Sequence, residues 1–353
     1  MVQEKRIIKS LYTIRFLLFI LIFLRHTIGL VKMEWLAQSG LAVTGFIILS
    51  GFLNGYMYNS KYDKITIKNI IDFVYKRIKK LYPLHIITLL IAIGMYPPFN
   101  EFIFHQIEYI KIFLMNLFLI QTWVNDSNYY FSFNGVSWFL STYLFLTIIT
   151  VPILYVIGKI NKKKYSAIIF AVFIVIIYSA LLLLTHYIQI KGLNSEFWIN
   201  VFPPSRALEY TIGILSGCII SKIKINFKYD KIVFTFAELF SLILICVFVK
   251  YVPLNTWLTY WGSKWVVPLV LIFSIFIYEK GYISKLFGIK LLVMIGSSTM
   301  VMYFIHSELI YYIVHATGYT MHPRYLALYI FILSVLLGVI ITNLMNNKKK
   351  DKC

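Results

Sequence analysis

The sequence predicts an all-α integral membrane protein, a bundle of about ten transmembrane helices with both termini in the cytoplasm. Of the 353 residues, 60% are hydrophobic and 14% are charged, whereas a typical soluble domain carries about 25% charged residues. The charged residues are clustered, which leaves many apolar runs of about 20 residues, long enough to cross the hydrocarbon core as helices. We therefore predict a single membrane domain over residues 1–353 that ends in a basic tail, 346–353.

The positions of lysine and arginine favour this topology, because basic residues concentrate on the cytoplasmic side of membrane proteins. With ten crossings, 25 of the 34 basic residues fall in the N-terminal segment, the tail and four cytoplasmic loops. No obvious signal-peptide cleavage site follows the N-terminus, so we expect the first span to be retained. The predicted spans are 11–30, 41–58, 81–98, 138–157, 165–185, 206–222, 232–252, 264–279, 291–314 and 325–345.

The formal net charge of +20 does not indicate nucleic-acid binding, because no basic stripe with exposed aromatics occurs on a separate soluble module. Cytoplasmic loops that contact anionic membrane lipid explain the charge. The three cysteines are scattered and lack metal-ligand spacing, so we expect neither a disulfide framework nor a metal site. No soluble domain is expected at either end.

Residues 111–123 form an apolar run of only 13 residues. A full crossing here would place the lysines of loop 158–164 outside and invert every later span. Runs this short are more typical of re-entrant or interfacial segments. We therefore predict a re-entrant or interfacial helix on the outer side.

Arg15 and His26 are the first candidate functional residues, because ionisable side chains within a span are costly and indicate function by default. They are eleven positions apart, which places both on one helix face and about 16 Å apart along its axis. Arg15 would lie near the cytoplasmic end and His26 in the outer half. The alternative is structural, with Arg15 extended to lipid phosphates and His26 donating to a neighbouring helix.

Two further groups lie in later spans. His306 is about fifteen residues into the ninth span, as His26 is in the first, so the two imidazoles could share a depth and a site. Arg206 and Glu209 are at i and i+3 and can pair on one helix face. That pair could bind substrate or hold the structure together at the outer surface.

Two short motifs complete the candidates. In FIILSGFL, Ser50 and Gly51 permit close helix packing or a locally opened backbone. In YKRIKKLYP, Arg77, Lys79 and Lys80 precede the third span on the cytoplasmic side. Their charges suit the phosphates of a soluble ligand or those of membrane lipid.

With these residues identified, nearly the whole chain resembles the acyltransferase-3 family of membrane O-acyltransferases, the group that acetylates bacterial surface sugars. One departure is Lys80, which stands where the family usually has a second arginine. Another is in VSWFLSTYLF, which resembles a Trp-Ser-Leu-Ser segment but has Tyr143 and Leu144 where many members carry acids. The matching positions are Arg15, His26, Ser50, Gly51, Phe52, Arg77, Lys80, Arg206, Glu209, Tyr210, Ser298, Tyr303 and His306.

The resemblance implies an acyl-CoA donor, acetyl-CoA by default, supplied from the cytoplasm as a co-substrate, and a glycan acceptor on the outer side. No tightly bound cofactor is expected, and polysaccharide-synthesis machinery would be a further partner. Arg77, Lys80 and Lys79 would hold the donor's phosphates. The thin pantetheine arm would then pass Arg15 toward His26.

At the reacting centre, the resemblance implies that His26 acts as general base on a sugar hydroxyl, since the usual histidine pKa of about 6.5 suits proton transfer near neutrality. A transient acyl-imidazole on His26 is the alternative. Arg15 would position the donor or stabilise developing negative charge. His306 and Trp138 would orient the acceptor, with Arg206 and Glu209 as further candidates.

A transporter or flippase of a glycan or other small solute would also have many spans, intramembrane charges and basic loops. Transporters often show inverted repeats and broken helices in matching halves, and neither pattern is found. A purely structural membrane protein gives no reason for Arg15 and His26 on one face or for His306. The sequence therefore favours an enzyme.

Overall fold

The computed structural model describes residues 7–31, 38–94, 106–226, 229–251, 262–317 and 321–350. Lys5, Arg6, Lys32, the last three residues of the basic tail and the ends of two predicted spans (95–98 and 252) lie outside these ranges. Numbered in chain order, the α-helices of six residues or more are α1 Lys9–His26, α2 Ser39–Tyr58, α3 Ile67–Ile78, α4 Tyr82–Ile91, α5 Gln106–Leu117, α6 Trp138–Asn161, α7 Ser166–Ile190, α8 Pro203–Ile220, α9 Asp230–Tyr251, α10 Val266–Phe276, α11 Tyr282–Phe287, α12 Lys290–Ser297, α13 Thr299–Thr317 and α14 Pro323–Lys350.

The all-α prediction is confirmed over the described residues, which contain no β-strand. Five helices, α2, α6, α7, α9 and α14, are long and apolar enough to cross a membrane, and the bent pair α12–α13 makes up to six. The other four predicted spans contain α1, α4, α8 and α10. Of these, α4 and α10 are apolar but short. Helices α1 and α8 are 18 residues long, and both contain charged residues.

The helices form two compact units. Within the described residues, unit 1 contains the chain up to Leu11, Gly40–Arg77 and Thr142–Gly288. Unit 2 contains Tyr12–Ser39, Ile78–Ser141 and the chain from Ile289 onward.

In unit 1, glycines on α2 and α8 allow the two helix backbones to touch. A Cβ at Gly51 or Gly55 would overlap the carbonyl oxygens of α8, and a Cβ at Gly213 or Gly217 would overlap those of α2. Both helices thus use a pair of glycines four positions apart, the spacing that permits close crossing of membrane helices. Of the two alternatives predicted at Gly51, close packing is confirmed, since α2 is continuous through it.

A buried acid also stabilises unit 1. The Glu238 carboxylate, on α9, accepts hydrogen bonds from the backbone amides of Gly281, Ile283 and Ser284 at 3.0–3.2 Å. These amides belong to the N-cap residue and the first turn of α11, where N–H groups have no partner within the helix. Glu238 therefore fixes the start of α11 against α9.

In unit 2, the ninth predicted span contains two helices with a bend between them. The chain bends by 60° between α12 and α13, at Ser298. The hydroxyls of Ser297, Ser298 and Thr299 donate to the carbonyls of Met294 and Gly296 at 2.7–3.2 Å. Such bonds compete with the backbone ladder and favour a bend.

The predicted helix over 111–123 has different bounds in the structure. Helix α5 ends at Leu117, and a 3₁₀ turn follows at Gln121–Trp123. Between them Leu119 has φ +58°, the left-handed conformation that commonly ends a helix. A 12-residue helix is about 18 Å long, shorter than the roughly 30 Å hydrocarbon core. That this segment does not cross stays a prediction.

Candidate active site

The first and ninth predicted spans bring two histidines into contact within unit 2. His26 is the last residue of α1, and His306 lies in the second turn of α13. Nε2 of His306 is 3.2 Å from Nδ1 of His26, and the ring centroids are 4.9 Å apart. His306 has no exposed surface, whereas His26 is exposed. The structure therefore pairs a buried imidazole with an accessible one.

The hydrogen bonds of this pair fix which nitrogen carries each proton. Nδ1 of His306 is 2.7 Å from the carbonyl oxygen of Tyr303, which can only accept, so Nδ1 carries the hydrogen. In the neutral ring Nε2 of His306 is then an acceptor, and Nδ1 of His26 must donate to it. The lone pair of His26 is left on Nε2. That nitrogen is the one available as base or nucleophile.

Aromatic side chains enclose the His306 ring. The Phe19 ring meets it edge-on at 5.5 Å between centroids, and the rings of Tyr303 and Phe23 lie at 5.8 and 6.4 Å. The Tyr303 hydroxyl donates to the carbonyl of Val136 at 3.0 Å. Because its surroundings are apolar and tightly packed, His306 has little freedom to rotate. It can hold the His26 ring in one orientation.

The accessible side of His26 faces a cavity of about 440 Å³. None of the other residues predicted for the site, including His306 and Trp138, lines this cavity. Trp138 is buried at the start of α6, where its ring packs on Phe139 with centroids 6.1 Å apart. Sequence reasoning thus identified the histidine at the cavity wall but none of the cavity's other lining residues.

Arg15 lies one and a half turns into α1 and is half-buried. Its guanidinium carbon is 5.4 Å from the centroid of the Tyr12 ring, a cation–π distance. Because α1 is unbroken from Lys9 to His26, the eleven-residue spacing corresponds to about 16 Å along the axis. Arg15 and His26 therefore occupy separate positions on one helix of unit 2.

The basic motif YKRIKKLYP begins in the last turn of α3 and continues into the turn that follows it. Arg77, in unit 1, donates from its guanidinium to Oδ1 of Asn54 at 2.7 Å, and Asn54 donates to the Tyr210 hydroxyl at 2.7 Å. The guanidinium carbon also lies 4.9 Å from the Phe73 ring centroid. Lys79 and Lys80 follow in the turn before α4 and are exposed. Arg77 is thus held by the interior of unit 1, with the lysines at the surface.

Arg206 and Glu209 form a buried ion pair in unit 1, as their spacing predicts. The N–O distance is 2.7 Å, and each side chain is 1% exposed. Arg206 also donates to the backbone carbonyl of Asn200 at 2.7 Å, to its side-chain oxygen, and to Thr44 at 3.3 Å. Four of the five guanidinium N–H groups are thus directed at protein acceptors, which favours the structural alternative for this pair.

Comparison with known proteins agrees with the resemblance. A family model described as an acyltransferase domain, of the acyltransferase-3 type, matches residues 8–344. The chain belongs to the acyltransferase-3 family. No solved structure matches it.

Two kinds of relative illustrate this membership. The chain is 26% identical over 207 residues to "Acyltransferase MdmB" of Streptomyces mycarofaciens, covering 56% of this chain and 51% of the relative. It is 24% identical over 300 residues to a protein named "Putative O-acetyltransferase" in Staphylococcus aureus strain COL, covering 79% of this chain and 47% of the relative. The chain spans about half the length of these curated relatives.

Proposed function

We propose that this protein is a membrane O-acyltransferase that moves an acyl group, acetyl by default, from cytoplasmic acyl-CoA to a hydroxyl of an extracytoplasmic or lipid-linked glycan. The observation that carries the proposal is the His26–His306 pair, which leaves Nε2 of His26 as an unprotonated base at a cavity wall. Membership of the acyltransferase-3 family supports the reaction class.

In the proposed reaction, Nε2 of His26 removes the proton from the acceptor hydroxyl as its oxygen attacks the thioester carbonyl carbon. The new C–O bond forms, the C–S bond breaks, and the thiolate of coenzyme A takes the proton back from His26. In the alternative route, Nε2 itself attacks the thioester carbonyl carbon, a C–N bond forms, the C–S bond breaks and coenzyme A leaves as its thiolate. The hydroxyl oxygen then attacks the acyl-imidazole, the C–N bond breaks, and the hydroxyl proton passes to the thiolate. Both routes use the same nitrogen.

The remaining residues have supporting roles in this proposal. Arg15 positions the donor or stabilises the negative charge that develops on the carbonyl oxygen. Arg77, Lys79 and Lys80 hold the donor's phosphates by charge. Arg77 is suited to a fixed position because its hydrogen bond to Asn54 orients it.

We also propose that the chain is a multi-pass protein of the cell membrane that crosses it ten times, with both ends in the cytoplasm. Each of the ten predicted ranges contains a described helix, and the proposal counts the bent pair α12–α13 as one crossing. The concentration of lysine in four loops supports the orientation.

Mass spectrometry of envelope glycans from cells with and without the protein tests the function. We expect a mass difference of one acyl group on a glycan, present only when the protein is made, which identifies the acyl group and the acceptor together. Cells that express correctly inserted protein and show no such difference would contradict the proposal and favour transport. Disruption of His26 in the same cells should remove the acyl group.

A further inference from the structure

The cavity beside His26 is bounded by two short stretches of unit 2. One wall is formed at and after the end of α1 by His26, Thr27, Gly29 and Leu30, and a single face of α13 forms the other. That face presents Ser307, Tyr311 and His315, at helical spacings of four residues, with Ile310 and Val314 between them. The volume of about 440 Å³ is within the range of small-molecule sites, about 300–1,000 Å³.

An aromatic platform lies on the α13 wall. The rings of Tyr311 and His315 are 4.1 Å apart between centroids and inclined by 32°. Nδ1 of His315 lies 2.7 Å from the carbonyl oxygen of Tyr311, so it carries the hydrogen and the neutral ring offers Nε2 as an acceptor. The platform therefore combines a flat apolar face with an acceptor at its edge.

The chemistry of the lining selects the class of ligand. Among the residues that the structure describes, no Asp, Glu, Lys or Arg lines the cavity, and these described walls are not suited to the phosphates of a coenzyme A molecule. Ser307 and His315 provide hydrogen-bonding groups among apolar neighbours, the mixture that recognises a neutral ligand bearing hydroxyls. A sugar ring has both an apolar C–H face for the platform and hydroxyls for the polar groups.

We propose that this cavity is the acceptor subsite and binds one neutral sugar ring of the glycan. The ring stacks on Tyr311 and His315, and the hydroxyl to be acylated lies at Nε2 of His26. The inference rests on the proposed function for its reaction, but the binding of sugar does not depend on transfer. It moves acceptor recognition away from Trp138, Arg206 and Glu209, none of which lines the cavity.

The test uses purified full-length protein, acetyl-CoA as donor and, as acceptor, the envelope glycan fraction of cells that do not make the protein. We expect Tyr311→Ala to raise the KM for glycan roughly 3- to 10-fold, the equivalent of one aromatic contact, and to leave the KM for acetyl-CoA unchanged. Tyr311→Phe keeps the ring and should retain the wild-type KM for glycan. The matched control is Tyr325→Ala, because Tyr325 pairs with His322 at the start of α14, with ring centroids 5.3 Å apart, outside the cavity.

A second measurement separates this inference from the proposed function. Equilibrium binding of the same glycan fraction, without donor, should be weakened by Tyr311→Ala to the same extent and left unchanged by Tyr325→Ala. A Tyr311→Ala protein that keeps wild-type glycan binding overturns the subsite, and so does a rise in the KM for acetyl-CoA alone. If glycan binds as expected but no acetyl is transferred, the subsite stands and the proposed reaction fails.

Discussion

His306 should act as a positioning residue for His26, and its replacement gives a graded test of the paired imidazoles. In His306→Leu the acceptor at 3.2 Å from Nδ1 of His26 is lost, while the volume remains similar. In His306→Gln a side-chain oxygen can take the place of Nε2 and accept the same hydrogen bond. Neither change removes the base itself.

The expected size follows from the hydrogen bond that is removed. A typical intramolecular hydrogen bond contributes about 0.5–1.5 kcal/mol, and a buried donor left without a partner costs about 1–3 kcal/mol. His26 can avoid part of this cost by rotating or by moving its proton to Nε2, but both responses remove the base from the hydroxyl. A penalty of about 1.4–2.7 kcal/mol on the reactive state lowers kcat/KM about 10- to 100-fold.

The assay is acetyl transfer from acetyl-CoA to the envelope glycan fraction by purified protein. We expect His306→Leu to lose about 10- to 100-fold in kcat/KM and His306→Gln to recover a large part of that loss. Helical content and yield of both variants report on folding. If His306→Leu keeps its activity within twofold of wild type, or if Gln is no better than Leu in folded protein, the positioning role is refuted.

Three other results are expected. Gly55→Ala places a methyl group on the carbonyl of Ile214 and should destabilise the protein by about 1–3 kcal/mol. Gly158→Ala is the control, because a methyl group there has ordinary contacts of 3.6 Å. Equal melting temperatures of the two variants would contradict the close crossing of α2 and α8. Arg206→Leu leaves the carboxylate of its partner buried and unpaired and should cost about 3–5 kcal/mol, seen as loss of folded protein on heating; an unchanged melting temperature would contradict this. A cysteine introduced at Lys163 should react with an impermeant thiol reagent only after the cells are opened, and one at Asn128 should react in intact cells; the reverse pattern would refute the proposed orientation.

The sequence was a good guide to the contact between His26 and His306 but not to its geometry. Equal depth in two spans suggested a shared site, and the structure shows the contact, with the second of those spans bent by 60° at Ser298. Three consecutive hydroxyls at the bend bond back to carbonyls, an arrangement that favours bending. A hydropathy pattern carries no information on whether side-chain hydroxyls compete with backbone N–H groups for these carbonyls.

The pairing of Arg206 with Glu209 followed from their spacing alone, since i and i+3 residues are neighbours on a helix. Their other partners, Asn200 and Thr44, come from a π-helical turn and from a distant helix, so no local pattern could reveal them. With Glu209, those partners accept from four of the five guanidinium N–H groups. Contacts beyond the i, i+3 pair therefore favour the structural alternative over the substrate one.

Two functional or structural features were missed for different reasons. Tyr311 and His315 have the regular four-residue spacing of one helix face, but aromatic residues are common in membrane helices and nothing in the sequence marks a cavity beside them. Glu238 was a detectable signal, an acid inside a predicted apolar span, and the cost of burying it should have singled it out. The structure shows why it is tolerated, because three backbone amides bind its carboxylate.

The role of His26 is tested most directly in sealed vesicles that contain the purified protein, with isotope-labelled acetyl-CoA on the cytoplasmic side and the envelope glycan fraction on the other. Wild-type protein should transfer the label to glycan, His26→Ala should lose about 10²- to 10⁴-fold in rate, and His322→Ala, at an exposed histidine outside the cavity, should match wild type. Transfer by correctly inserted His26→Ala protein at the wild-type rate would contradict the account.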